Sequence, residues 1–227
     1  MKNFLFSIAI FSLFSFKSFG HVDHYAKFNY LEYELFRNNK SIGYHKFNFS
    51  REAEKLSIKS EVNFKITKLG VDLYNYFAKS EENYKKGIFT SYSSTTKQNK
   101  KNRYVNINVD TNDGDLIIDG SSYKGKADKN FIVGTWWNHE IVKAKAQISG
   151  ISGRVIEQTV TFKGKEEITI GDKTYKTLHF NFKSSDQNLP DNKKLNTDIW
   201  YEEKTYLWVK ASFDKSGYWE YRIKKVN

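Results

Sequence analysis

Apolar and polar residues alternate along most of this chain with a period of two. In residues 55–66, for example, Leu56, Ile58 and Phe64 share one side, while lysine, glutamate and asparagine occupy the other. Strict alternation predicts β-strands that have one buried and one solvated face. Similar runs recur up to the C-terminus, so the pattern predicts about a dozen antiparallel strands.

Short polar turns separate these runs, at residues 38–40, 69–70, 171–173 and 214–217 among others. A sheet of this many strands with one apolar face curls until that face is covered. The fold class that we predict is therefore all-β, with antiparallel meanders curled into a barrel or half-barrel. No repeat of fixed period is visible.

One segment breaks the alternation. Residues 131–138, with the sequence FIVGTWWN, are apolar and aromatic but lack a period of two. They follow a polar stretch, residues 120–129, which predicts a linker. We interpret residues 131–138 as an irregular or short helical crossing between two meanders, with Trp136 and Trp137 packed inside the enclosed volume or across its mouth.

The first 20 residues have the pattern of a secretory signal peptide. Lys2 gives a positive start, residues 4–16 are apolar apart from serines, and residues 18–20 form a small-x-small cleavage pattern. The apolar run is shorter than the roughly 20 residues that span a bilayer. We predict cleavage after Gly20, a periplasmic location, and a single β-rich domain over residues 21–227.

Composition excludes cysteine chemistry and narrows the classes of partner. The chain has no cysteine, which excludes disulfides, a thiolate nucleophile and a lipid-modified cysteine. Its net charge of +11 becomes +9 once Lys2 and Lys17 are removed with the signal peptide. Export argues against nucleic acid as the partner of these cations, whereas an anionic membrane surface is compatible with them, as are lysines that simply solvate the outer strand faces.

Many aromatic residues fall on the predicted inner face, where they either fill a core or line a ligand pocket. His45 shares its strand face with Phe47 and Phe49, so it is predicted to point inward. In the strand at residues 197–202, Trp200 and Tyr201 are assigned to the inner set. The candidate ligand-binding residues are His45, Tyr76, Trp136, Trp137, Asn138, Trp200 and Tyr201.

Motifs of catalysis or metal binding are not found. The chain contains no Gly-x-Ser-x-Gly, no His-Glu-x-x-His and no phosphate-binding glycine loop. Residues 110–115 are rich in carboxylates, but their glycine position fits a hairpin turn better than a calcium loop. No cofactor or metal is implied, and His45 together with Asp198 or Tyr201 is the acid–base pair that distant strands would have to assemble.

Several short motifs resemble a family of exported, β-rich Gram-negative proteins known only as a domain of unknown function. They are residues 40–47 (KSIGYHKF), 136–138 (WWN), 198–201 (DIWY) and 219–223 (WEYRI). Trp136 stands where that family tends to have tyrosine, and His139 where it has proline. The resemblance implies a β-rich periplasmic domain and supplies no activity.

Three hypotheses of function follow. The first is a non-catalytic binding module for an apolar or amphipathic ligand such as a lipid. The second is an envelope structural or partner-binding protein with a filled barrel core. The third is a hydrolase. An enclosed apolar volume reached from one end favours the first, and an exposed apolar patch over a filled core favours the second.

Overall fold

The computed structural model describes residues 25–227, so the predicted signal peptide lies outside the described residues. Its first half is a meander of long strands. These are β1 Tyr30–Arg37, β2 Lys40–Glu52, β3 Lys55–Lys68, β4 Val71–Lys85, β5 Ile88–Gln98, β6 Lys101–Val109, β7 Leu116–Gly120 and β8 Lys124–Ala127. The predicted linker therefore contains a strand, because residues 124–127 pair with β7.

The second half forms another meander. Its strands are β9 Ile132–Val133, β10 Ala146–Ile148, β11 Val155–Ile170, β12 Lys173–Ser184, β13 Asn196–Glu202, β14 Trp208–Asp214 and β15 Tyr218–Val226. Short 3-10 helices lie at His139–Lys143 and Asp191–Lys193. Within residues 25–227, no helix is long and apolar enough to cross a membrane.

All fifteen strands belong to one sheet. β1 pairs with β15, so the order runs from β8 through β1 and β15 to β9. Every pairing is antiparallel except that of β9 with β10. The predicted fold class is confirmed, and the sheet is not closed by strand pairing.

The sheet ends at β8 and β9, and the loop between β10 and β11 joins its two halves by packing against β5 and the β7–β8 turn. The amide of Ser122 donates to the carbonyl of Ser152 (2.8 Å). The side chains of Tyr92 and Ser94 on β5 donate to the carbonyl of Gly150 (3.0 and 2.6 Å). A Cβ atom at Gly120 would lie 2.6 Å from the Ser152 carbonyl, so this approach requires glycine.

Five consecutive hairpins, from β1–β2 to β5–β6, have two-residue turns whose first residue has positive φ. Asparagine serves this conformation well in the first and the last of them. Because the strands alternate in direction, the turns after β1, β3 and β5 lie at one end of the sheet, here called the upper end. The turns after β2 and β4 lie at the lower end, which also has the exposed Ile88 at the start of β5.

The crossing segment passes through the interior, as the sequence predicted, and includes the 3-10 helix His139–Lys143. Trp137 is fully buried and packs edge-on against Tyr25, Phe49 and Tyr84. Trp136 instead contacts Trp208, Tyr221 and Phe213, and Phe213 lies near the upper end of β14. The lower half of the interior is therefore packed with aromatic rings around Trp137, and the two tryptophans separate this packing from the upper half.

Candidate functional site: a cavity at the upper end

A cavity of about 490 Å³ occupies the upper half of the interior. One wall is made by the inner faces of β3, β4 and β5, and it is rich in hydroxyl groups. The opposite wall comes from the crossing segment, β14 and β15, and it is aromatic, with Trp136, Phe213 and Tyr221. Strand alternation explains the hydroxyl wall, since Ser94 and Thr96 share the inward parity of Tyr92.

Two polar side chains at the inner part of the cavity lack partners. Both ring nitrogens of His45 and the indole nitrogen of Trp136 are buried and have no hydrogen-bond partner within residues 25–227. Burial lowers the pKa of His45 to about 3, so the ring is neutral at pH 7 and offers one donor and one acceptor. Leaving such groups unpaired is unfavourable by about 1–3 kcal/mol each.

Trp136 is held in an uncommon backbone conformation. Its φ of 61° lies in the left-handed region, which is rare for a bulky side chain. Its carbonyl accepts a hydrogen bond from the Tyr201 hydroxyl (2.8 Å), and its ring packs against Trp208 and Tyr221. These contacts fix the indole toward the cavity in spite of the backbone strain.

The mouth of the cavity is cationic. Arg154, Lys194 and Lys215 reach it from three different loops, together with Asp191 and Asp214. Lys194 pairs with Asp191 (3.0 Å), whereas Arg154 and Lys215 make no ion pair within the described chain. Burial lowers the pKa of Lys215, and the charge of Arg154 adds to that effect. The three cations exceed the two carboxylates by one, and Arg154 and Lys215 repel each other, so the mouth suits an anion.

Below the cavity, a buried carboxylate anchors the crossing segment. Glu82 is 2% exposed and accepts hydrogen bonds from Trp137 Nε1 (2.9 Å), Thr135 Oγ1 (3.1 Å) and the Tyr84 hydroxyl. Burial raises the pKa of Glu82, and the three donors oppose that effect. No cation of the described chain pairs with this carboxylate.

Asn138 completes the anchor. Its side-chain oxygen accepts from the amide of Glu140 (3.1 Å) and so caps the 3-10 helix, while its amide nitrogen donates to the Tyr84 hydroxyl (3.5 Å). A second, smaller cavity of about 190 Å³ lies beside Glu82 and Asn138.

The predicted site residues therefore separate into groups. His45, Tyr76 and Trp136 line the cavity, whereas Trp137, Asn138 and Tyr201 hold its floor and the crossing segment. Their contact with a ligand stays a prediction.

Trp200 lies elsewhere, on the outer face of the sheet, and its assignment to the inner set is wrong. Ordinary alternation along β13 places Ile199 and Tyr201 on the inner face and Trp200 on the outer face, where it pairs with His179. Trp200 stacks on His179 (4.3 Å between ring centres), and the ammonium of Lys210 lies over its other side (4.8 Å).

The acid–base pair that the sequence suggested is not assembled. Asp198 accepts a hydrogen bond from His179 Nε2 (2.8 Å) on the outer face, and the Tyr201 hydroxyl donates to the Trp136 carbonyl. His45 thus has neither partner. Within residues 25–227, no three His, Cys, Asp or Glu side chains are placed to hold a metal ion.

Sequence reasoning missed Glu82 and the cations of the mouth. Glu82 has the same strand parity as Tyr76 and Tyr84, so the alternation already marked it as inward. Arg154 and Lys215 carried no such signal, because they lie in loops of a chain with 37 cationic residues.

The fold and the cavity define an open, barrel-like all-β protein with an aromatic interior. The model of the family DUF6134, described as a domain of unknown function, matches residues 33–224. The chain belongs to this family, and the predicted membership in a family of unknown function is confirmed.

One solved structure supports the fold. A β-barrel-like protein of the domain of unknown function DUF1849 from Brucella abortus aligns with a TM-score of 0.54 and 10% identity, covering 87% of this chain and 96% of that one. A DUF1329 family protein from Desulfovibrio piger is 8% identical over 90% of this chain and 88% of its own, but its TM-score of 0.20 carries no argument. No curated protein matches the sequence. At such identities the similarity concerns the fold alone.

Proposed function

We propose that this protein is a periplasmic binding module for an amphipathic anion, and that it is not a catalyst. The observation that carries the proposal is the cavity itself, with unpartnered polar atoms inside, an aromatic wall and unpaired cations at the mouth. Its volume of about 490 Å³ lies within the roughly 300–1,000 Å³ of typical small-molecule sites.

The ligand class follows from the walls. An apolar face or chain would pack on Trp136 and Tyr221, and hydrogen-bonding groups would meet His45 and the hydroxyl wall. The anionic group would lie between Arg154 and Lys215, where it relieves their mutual repulsion. A lipid with an anionic headgroup and a free fatty acid share this chemistry.

The location is part of the proposal and is supported by the signal peptide pattern of residues 1–20. An exported protein without cysteine that encloses an aromatic cavity suits the storage or transfer of a molecule that dissolves poorly in water.

A fluorescent fatty acid, 11-(dansylamino)undecanoic acid, tests the proposal in solution. The Ala78→Trp variant fills the cavity from β4, and we expect it to weaken binding by roughly 100-fold, about 2.7 kcal/mol. Thr95→Trp, on the outer face of β5, is the matched control and keeps the affinity of the wild type. The methyl ester of the probe, which lacks the charge, should bind more weakly than the acid.

Equal affinity of both tryptophan variants would place the probe outside the cavity and overturn the proposal. Competition by an anionic phospholipid but not by a fatty acid, or the reverse, would distinguish the two sources of the ligand chemistry.

A further inference from the structure

The β3–β4 hairpin ends in a cluster of exposed apolar side chains at the upper end of the sheet. Leu69 is 95% exposed, Val71 61% and Leu73 55%, and Phe77 follows on the same strand. Leu69 is the most exposed large apolar residue of the described chain. We call residues 69–73 the apolar tip.

Turn geometry does not account for the leucine. Leu69 has a φ of 51°, and the first residue of each of the other four two-residue turns adopts the same conformation. The equivalent residues Asn38, Ala53, Lys86 and Asn99 are small or polar, as the left-handed region and solvent exposure favour. A leucine here is unfavourable for the turn, and no packing within residues 25–227 compensates for it.

Cations lie on the strands behind the apolar tip. The end of β3 contributes two of them, and the neighbouring β5–β6 hairpin, whose turn is level with residues 75–76, contributes four, against the single carboxylate of Asp72. They are Lys65, Lys68, Lys97, Lys100, Lys101 and Arg103. Asp72 is itself paired with Lys65 (3.3 Å), so the local net charge is +5. The two hairpins are joined, since the amide of Asn99 donates to the carbonyl of Asn75 (2.8 Å).

From this combination we propose that the apolar tip docks on an anionic lipid surface. Lysines draw a protein to anionic headgroups, and apolar side chains that enter the headgroup region retain it there. A protein partner with an acidic, apolar patch is the alternative, but an isolated hairpin tip offers it little area. The proposal does not depend on the ligand of the cavity.

The cavity mouth lies at the same end of the sheet. The loops that carry Arg154, Lys194 and Lys215 precede β11, β13 and β15. These three strands begin at the upper end of the sheet, and the turn after β3 lies at the same end. Docking through the apolar tip would therefore hold the mouth near the lipid surface. A binding module with this orientation could exchange an amphipathic ligand with the membrane.

The chain has no cysteine, so one introduced cysteine gives a site-specific probe. Leu69→Cys, labelled with an environment-sensitive fluorophore, is compared with Ile88→Cys, which is 69% exposed at the lower end. With vesicles of phosphatidylglycerol and phosphatidylcholine, we expect a blue shift at position 69 and none at 88. Vesicles of phosphatidylcholine alone should give a much smaller shift, and added salt should reduce it.

Co-sedimentation with the same vesicles separates the contribution of the apolar side chains from that of the lysines. We expect L69S/V71S to lower the partition coefficient by about tenfold, and K97Q/K100Q/K101Q by at least as much. The controls are Ile88→Ser and K55Q/K85Q/K173Q, which should bind as the wild type does.

A label at position 69 that stays in water while vesicles are bound, or L69S/V71S binding as tightly as the wild type, would overturn the proposal. Absence of binding to any vesicle would also overturn it and would favour a protein partner. The affinity of L69S/V71S for the fluorescent fatty acid without vesicles should be unchanged, so failure of docking is distinguishable from failure of the cavity proposal.

Discussion

Two glutamates of this sheet each accept a hydrogen bond from a tryptophan indole, one inside the barrel and one outside. Glu82 accepts from Trp137 (2.9 Å) among buried groups, whereas Glu166 accepts from Trp200 (2.6 Å) at a side chain that is 45% exposed. The outer pair belongs to a network in which the ring of His179 hydrogen-bonds both Glu166 and Asp198. The inner carboxylate has three neutral donors and no cation in the described chain.

The two histidines differ in the same way. His179 lies between Glu166 (2.9 Å) and Asp198 (2.8 Å), so both of its ring nitrogens are satisfied. His45 is surrounded by rings and has neither nitrogen satisfied within residues 25–227. The histidine of the outer face is thus satisfied within the chain, while the histidine of the cavity keeps a donor and an acceptor that a ligand can satisfy. This difference is the main support for a binding function.

The largest expected effect concerns His45 and pH. Its folded-state pKa of about 3 lies below the ordinary 6.5, so the unfolded chain binds more protons between these values. Stability is therefore fully present above pH 6.5 and is lost as pH falls toward 3, by on the order of 4 kcal/mol. Urea unfolding of His45→Phe should show a flatter pH profile than the wild type, and His179→Phe serves as the control. An unchanged slope in His45→Phe would contradict the burial of an unpaired ring.

The next effect is the loss of stability when either of the two carboxylates, Glu82 or Glu166, is removed. Glu82→Ala leaves Trp137 Nε1 and the Tyr84 hydroxyl buried without an acceptor, and we expect a loss of roughly 3 kcal/mol in the free energy of unfolding. Glu166→Ala removes an exposed acceptor that water can replace, at about 1 kcal/mol or less. Equal losses in urea titrations would mean that the inner network is as accessible to water as the outer one.

The pH dependence of Glu82 has the opposite sign to that of His45. Burial raises its pKa, so the folded state holds the proton more tightly, and stability falls as pH rises above the ordinary value of 4.5 through the raised folded-state value. Glu82→Gln, which cannot titrate, should lack that decline.

The smallest effect concerns the mouth of the cavity. Arg154→Glu and Lys215→Glu should each weaken binding of the fluorescent fatty acid by roughly tenfold, about 1.4 kcal/mol, because each removes a cation from the anion site. Binding of the neutral methyl ester should change much less. Lys183→Glu, on the outward face of β12, makes the same change of net charge away from the mouth. If it weakens binding equally, the effect is one of overall charge alone.

Much of the fold could be predicted, because alternation with a period of two shows which side chains of a strand are buried. The same parity placed His45 correctly on the inner face. The error at Trp200 came from assigning two adjacent residues to the same face, whereas strict alternation separates Trp200 from Tyr201. Alternation did fail at residues 124–127, where a short polar strand pairs through its backbone alone.

The candidate site was harder to predict, because its parts come from distant segments. Alternation cannot tell a filled core from a cavity, since both need inward apolar residues. The division between Trp136 and Trp137 arises from the positive φ of Trp136, and the cations of the mouth come from loops, which carry no periodic signal.

The most direct test is native mass spectrometry of the protein exported to the periplasm of a Gram-negative host and purified without detergent. We predict an added mass equal to one amphipathic molecule, recovered by solvent extraction, absent from Ala78→Trp and retained by Thr95→Trp. A bare mass in repeated preparations, together with no binding of the fluorescent fatty acid, would contradict the account and leave the cavity without a ligand-binding role.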